Sequence, residues 1–373
     1  MRARTGALKL KSNYIPTLDG WRAIAVLLVL IDHTIFHAFR HYGWTLVGGH
    51  GVQIFFVLSG YLITGKLLED GSLRRFYARR AFRILPVLLA YLAVIVLVGR
   101  VLHRIPLVWS EITTSLLFVR NYWYNPTTTW SGVGWFTTHL WSLSIEEQFY
   151  LIWPVVVLKI GKGIPRRQAL AAVLLSAFFS AIFVLVHVGR ILHLGGWNWL
   201  PNLQWAGLIV GCLLRIAFSD AGTNRAITRI ISGRSTIVVV ALFVYIAVLH
   251  NRITFFDSLI CGMGVCATLV EPRAWFGRVL ELSFLRWVGR LSYSLYIWQQ
   301  LFLGFGVKYL PFGFFSRFPV NLVSTFVVSC LSYYLMERPL MRLGHKFAAA
   351  RSSGQESTVP LPVQAPEPER MVS

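Results

Sequence analysis

Ten stretches of the chain, residues 18–39, 48–68, 84–103, 139–158, 168–188, 201–218, 235–250, 254–270, 288–307 and 319–336, are each mainly apolar and close to the length of a membrane crossing. A crossing takes about 20 such residues. Inside hydrocarbon every backbone N–H and C=O needs a partner, and a helix supplies all of them from within the segment. The expected fold is therefore all-α, a polytopic membrane helical bundle with about 10 transmembrane helices. Composition points the same way: 14% of residues are charged and 55% hydrophobic, against about 25% charged in soluble proteins. A soluble enzyme is excluded. The stretch 108–119 is apolar but too short to cross, and is expected to be re-entrant or interfacial. The apolar run after the basic segment Met1–Lys11 continues through Asp32 and His33 without a small-residue cleavage site, so a retained first span is expected rather than a signal peptide.

The net charge of +21 and isoelectric point of about 10.4 do not imply a nucleic-acid partner, because the basic residues occupy short loops between apolar runs. They alternate in density instead. With the N-terminus inside, 27 of the 36 Lys and Arg fall on cytoplasmic segments and eight on outer ones, with Arg22 inside the first span. That bias, loop by loop, predicts ten spans with both termini cytoplasmic. Three regions are expected: a basic cytoplasmic N-terminus (1–13), a membrane domain (14–345) and a disordered cytoplasmic tail (346–373) rich in Ser, Pro, Gln and Glu. Cys212, Cys261, Cys266 and Cys330 lie in apolar segments without metal or redox spacing, and read as small buried hydrophobes.

Ionisable residues within spans are costly and mark candidate sites. Arg22 and His33 stand eleven residues apart, close to three helical turns, so both project from one face about 16 Å apart. Span two, GGHGVQIFFVLSGYLITG, carries Gln53, Ser59 and Thr64; Ser59 and Gly60 read as close-packing positions, with no base adjacent to Ser59 in sequence. Arg74, Arg75, Arg79, Arg80 and Arg83 cluster just inside the membrane, which suits phosphates, anionic headgroups or the charge bias alike. Glu146 and Glu147 sit together in an apolar helix, so at least one must face the bundle and meet a His or Arg. The Trp- and Tyr-rich segment 120–136 suits an interfacial belt or stacking on sugar rings.

In order and spacing, LDGWRAIAVLLVLIDH (Arg22, His33), GVQIFFVLSGYLITG, RRAFRILP (Arg80, Arg83), LWSLSIEEQFYLIWP, GRLSYSLYIWQQ and MERPL (Glu337, Pro339) resemble the membrane acyltransferase-3 family of bacterial O-acyltransferases, over residues 14 to about 345. Gln53 stands where many members have Asp and Gln299 where many have His, so neither is expected to be an obligatory catalyst. The resemblance implies transfer of an acyl group, usually acetyl, from cytoplasmic acyl-CoA to a hydroxyl of a sugar or glycoconjugate beyond the bacterial inner membrane. Lipopolysaccharide, exopolysaccharide, peptidoglycan sugars, glycolipids and macrolide-type molecules are all acceptors in the family. His33 then serves as general base and Arg22 as a contact to the thioester. Arg79, Arg80 and Arg83 would hold the phosphates, while Glu146 or Glu147 would orient His33. No metal is expected, and the oligomeric state is left open.

Two rivals make other predictions. A transporter or flippase for a lipid-linked glycan would show no dependence on acyl-CoA, and typically an internal repeat, which the sequence lacks. A metal site could use His33, His37 and His41, which recur every fourth residue, with His50 beyond. The orientation itself is directly testable: a single cysteine introduced near Arg75 should be labelled by a membrane-impermeant thiol reagent only after the cells are opened. Labelling in intact cells would reverse every loop.

Overall fold

The computed structural model describes residues 14–39, 47–101, 107–123, 134–160, 164–165, 167–172, 174, 205–248, 255–303 and 313–350. In chain order the helices are α1 (Pro16–Phe39), α2 (Val47–Asp70), α3 (Leu73–Val101), α4 (Trp109–Leu116), α5 (Trp135–Thr138), α6 (Leu140–Ile160), α7 (Trp205–Ser219), α8 (Ala221–Ile231), α9 (Ser235–Val248), α10 (Phe255–Val270), α11 (Trp275–Leu280), α12 (Ser283–Phe302), α13 (Val320–Ser332) and α14 (Arg338–Ala350). No strand occurs among the described residues. The chain is an all-α, multi-pass membrane bundle. By length and composition alone, three described helices can cross a bilayer: α2, α3 and the continuous rod Val320–Ala348. The pair α7 and α8, bent by 107°, makes a fourth candidate. The remaining expected spans correspond to helices that are shorter or that carry charge, and most of the fifth, 168–188, lies outside the described residues.

Two elements differ from the expectation in a way that matters for the site. The basic cluster is not a loop. Gly71 adopts φ 61° and ends α2, after which α3 starts at Leu73 and runs 29 residues through Pro86, so Arg74 to Arg83 sit on the helix that then enters the membrane. Its Arg, Ala and Leu residues favour helix, and the kink expected of Pro86 does not end it. At the other end, the helix reaches Ala350, so the first residues assigned to a tail, 346–350, belong to α14. Residues 1–13 and 351–373 lie outside the described residues. The segment 108–119 holds only the eight-residue α4, about 12 Å long. Its Glu111 is buried against Arg120 at 3.4 Å and accepts a hydrogen bond from Thr137 Oγ1 at 3.0 Å, so the segment is tucked into the bundle.

Glycines set the packing. A Cβ at Gly60 would stand 1.9 Å from the Leu208 carbonyl oxygen, and one at Gly211 2.0 Å from that of Val57. The backbones of α2 and α7 therefore touch, the arrangement by which membrane helices gain dispersion contact without a hydrophobic driving force. α1 and α2 are antiparallel, with Gly48 against Asp32 and Gly51 against Ala25 and Leu28. α1 and α12 run parallel, Gly289 lying on the Asp19 carbonyl and His33 meeting Gln299 further along. Tryptophans lock these contacts through their N–H groups: Trp21 donates to Thr268 at 2.8 Å and Trp153 to Thr64 at 2.9 Å. Cys212, Cys261 and Cys266 are buried and Cys330 is partly so, all as free thiols.

The glycine contacts generate a prediction. Gly60→Ala and Gly211→Ala should each lower stability by about 1–3 kcal/mol, the usual cost of overpacking, read as a fall in thermal midpoint of the detergent-purified full chain. Unchanged midpoints in both would mean that α2 and α7 do not meet as described.

Candidate active site

A cavity of about 220 Å³ opens between α1, α2, α3, α6, α12 and α14. Arg22, Lys66, Arg79, Arg80, Arg83 and His345 line it, together with Ser59, Glu146, Ser142, Tyr150, Tyr296 and Met341. Six basic side chains around one small space inside an apolar bundle define the candidate site. Their partners decide what each can do.

Arg80 is the most committed. Its Nε and Nη2 donate to the two oxygens of Glu147 at 3.1 and 2.5 Å, and its guanidinium lies 3.4 Å from the centre of the Tyr150 ring. This fork-to-carboxylate geometry is the strong form of an ion pair. Glu146 stands 3.8 Å from the same guanidinium and instead accepts a hydrogen bond from Ser59 Oγ. Both glutamates thus face the bundle, each with its own partner. α6 places them there because Ile145, Phe149 and Trp153 fill the apolar face next to them, with Phe149 stacked on Trp153. Arg79 donates to Asp70 at 2.6 Å, and Asp70 also holds Arg75 at 2.5 Å. Arg83 is 4.0 Å from Glu337, which accepts from Ser294 Oγ at 2.8 Å. Glu337 closes a π-helical turn, Tyr333–Glu337, and is buried. Such turns shift helical phase and recur at functional sites.

Arg22 and Lys66 differ from the rest: among the described residues neither has a hydrogen-bond or ion-pair partner. Both are cations with donors free for a ligand.

His33 does not line this cavity. It lies about 16 Å along α1 from Arg22. Its Nδ1 is 3.1 Å from Gln299 Oε1 and its ring is edge-on to Trp135 at 5.5 Å. The expectation that Glu146 or Glu147 orients His33 is corrected here, since both are bound to other side chains. A carboxamide oxygen accepts from a protonated Nδ1, and in the neutral imidazole that tautomer keeps the Nε2 lone pair. Gln299, set aside in the sequence, is the residue that holds the imidazole. Its Nε2 is buried without a hydrogen-bond partner among the described residues. One turn back on α12, Tyr296 lines the cavity and bonds Ser142 at 2.8 Å. His139, also missed in the sequence, bonds Gln300 at 2.7 Å beside it. Position along α12 was the only sequence signal for this polar string, three or four residues apart on one helix face.

The histidine series considered for a metal is divided. His50 is paired with Asp257 of α10 at 3.2 Å, and the side chains of His37 and His41 lie outside the described residues. Among the described residues no three His, Cys, Asp or Glu side chains come together.

Comparison with known proteins gives the family. The peptidoglycan O-acetyltransferase OatA of Listeria monocytogenes is 27% identical over 368 residues, covering 89% of this chain and 56% of that protein. YrhL of Bacillus subtilis, provisionally described as a peptidoglycan O-acetyltransferase, is 29% identical over 380 residues, 91% of this chain and 57% of its own length. The chain therefore spans somewhat under three fifths of the length of these two relatives. No solved structure matches it. The sequence pattern of the family described as an acyltransferase domain matches residues 15–336, nearly all of the bundle just described, and the chain belongs to the acyltransferase-3 family.

Proposed function

We propose that the chain is a membrane O-acetyltransferase that takes an acyl group, acetyl first among them, from acyl-CoA on the cytoplasmic side. It delivers that group to a sugar hydroxyl on the outer side of the bacterial cytoplasmic membrane. The observation that carries this reading is the cavity lined by Arg22, Lys66, Arg79, Arg80 and Arg83. A surplus of cations in a bundle of low dielectric calls for an anionic ligand. The positive-inside bias supports a cytoplasmic position for that cavity, and with it a donor drawn from cytoplasmic acyl-CoA. A space of about 220 Å³ suits the thin pantetheine arm and acyl group, with the nucleotide and its phosphates left at the mouth.

The partners described above divide the labour among the cations. Arg80 and Arg79 spend their donors on Glu147 and Asp70, so they shape the site more than they grip phosphate. Lys66 at the rim and Arg22 within have donors to give. Arg22 suits the thioester carbonyl, where a positive charge stabilises the developing oxyanion. His33, held by Gln299, suits the outer half of the reaction as the base that takes the acceptor's proton. The names of the relatives make a peptidoglycan sugar the first acceptor to test.

Three variants separate these roles. His33→Ala should cut transfer by a factor of roughly 10² to 10⁴ while leaving the thermal midpoint unchanged, measured with acetyl-CoA and a peptidoglycan fragment as acceptor. Retained activity would remove His33 from the mechanism. Lys66→Gln should raise the KM for acetyl-CoA and leave kcat alone, because a phosphate contact is made alike in ground and transition states. Arg80→Ala should instead lower the thermal midpoint, since it strands Glu147 within the bundle. An unchanged KM in Lys66→Gln would assign that lysine to topology only.

A further inference from the structure

The geometry points to Ser59 as the first acceptor of the acyl group, with Glu146 as its base; this rests on the donor reading just given. Three observations meet at one place. Ser59 Oγ donates to Glu146 Oε1, and both residues line the donor cavity. Glu146 remains free for this because the Arg80 fork is closed on Glu147, leaving Glu146 at 3.8 Å from the guanidinium. Finally, the antiparallel register of α1 and α2, fixed by Gly48 on Asp32 and Gly51 on Ala25 and Leu28, puts Ser59 opposite the turn that carries Arg22. A hydroxyl, a carboxylate in hydrogen-bond contact with it and an unpaired guanidinium at the same depth are the parts of an activated nucleophile with oxyanion stabilisation.

The neighbour of Ser59 fixes its direction. Gly60 lies on the Leu208 carbonyl of α7, so α2 cannot rotate about its axis, and Ser59 keeps facing the cavity. His33 lies outside the cavity, about 16 Å along α1 from Arg22, so the base for attack on a thioester held at Arg22 has to come from the cavity itself, where Glu146 is the carboxylate in contact with Ser59.

In the step proposed, Ser59 Oγ attacks the thioester carbonyl and its proton passes to Glu146. The new C–O bond forms and the C–S bond breaks. The departing thiolate takes the proton from Glu146 and leaves as free CoA, which gives acyl-Ser59 and restores the carboxylate. No oxidation or reduction occurs. An acceptor hydroxyl then attacks the ester, and its proton ends on Ser59 Oγ.

The test uses the full chain in detergent, [1-14C]acetyl-CoA and no acceptor, with acid quenching within one turnover and peptide mapping by mass spectrometry. Binding of acetyl-CoA is measured in parallel by calorimetry. The expected result is one acetyl group on the peptide containing Ser59, absent in Ser59→Ala although that variant still binds acetyl-CoA. Glu146→Gln should slow labelling by roughly 10² to 10⁴. Ser59→Cys, nearly isosteric, should carry the label as a thioester released by neutral hydroxylamine, which leaves a serine ester intact. Bound acetyl-CoA without an adduct at Ser59, or an adduct on another residue that persists in Ser59→Ala, would overturn the proposal. Failure of the wild-type chain to bind acetyl-CoA would overturn the donor reading, and this proposal with it.

Discussion

The two-pronged contact of Arg80 with Glu147 is the interaction on which the site is built. In a medium of low dielectric neither charge is tolerable alone, and removing one partner costs more than the pair contributes. The pair therefore acts as a pin between α3 and α6. Tyr150 beneath the guanidinium adds a third surface, and its neighbour Phe149 stacks on Trp153, which is tied to Thr64 of α2. Once that pin is set, the second glutamate has one direction left, toward Ser59. Arg79 and Arg83 of α3 and Ser142, Glu146 and Tyr150 of α6 line the cavity on the two sides of that pin.

Much of this was legible in the sequence, and the reason is periodicity. Arg22 and His33 could be placed on one face of one helix because eleven residues is close to three turns. The apolar runs gave helices α1, α2, α6 and α12 within a few residues, since length and burial dictate them. Gly60 read correctly as a packing position, although which helix it met could not be read. What failed was pairing across helices. Ser59 was passed over because no base adjoins it, while its partner Glu146 arrives from 87 residues away. Gln299 was discounted for its chemistry, yet a neutral acceptor is what keeps the imidazole in one tautomer. The basic segment 74–83 reads as a loop because its charge hides its helical propensity; in the structure it is helical, and three of its arginines, Arg79, Arg80 and Arg83, line the cavity.

The separation of the two halves of the site has a physical logic of its own. A single polar cavity running the full depth of the bundle would admit water and ions as well as substrate. Here Tyr296 and Ser142 line the charged cavity, and beyond Tyr296 on α12 come buried polar pairs, His139 with Gln300 and His33 with Gln299. Side chains rather than open space occupy that stretch, so the charged cavity does not run on to His33.

The parallel contact between α1 and α12 carries a consequence for synthesis. The residues that meet there, Asp19 with Gly289 and His33 with Gln299, are about 270 positions apart, and the wall formed by Met341 and His345 comes later still. A nascent chain inserts its first helices early, with Arg22, Lys66 and Arg80 already in the membrane. It cannot close the cavity around them until the last helices leave the ribosome. Assembly of this bundle is thus a late, long-range docking event, and a chain stopped anywhere before α14 holds its cations in an open, unfinished bundle.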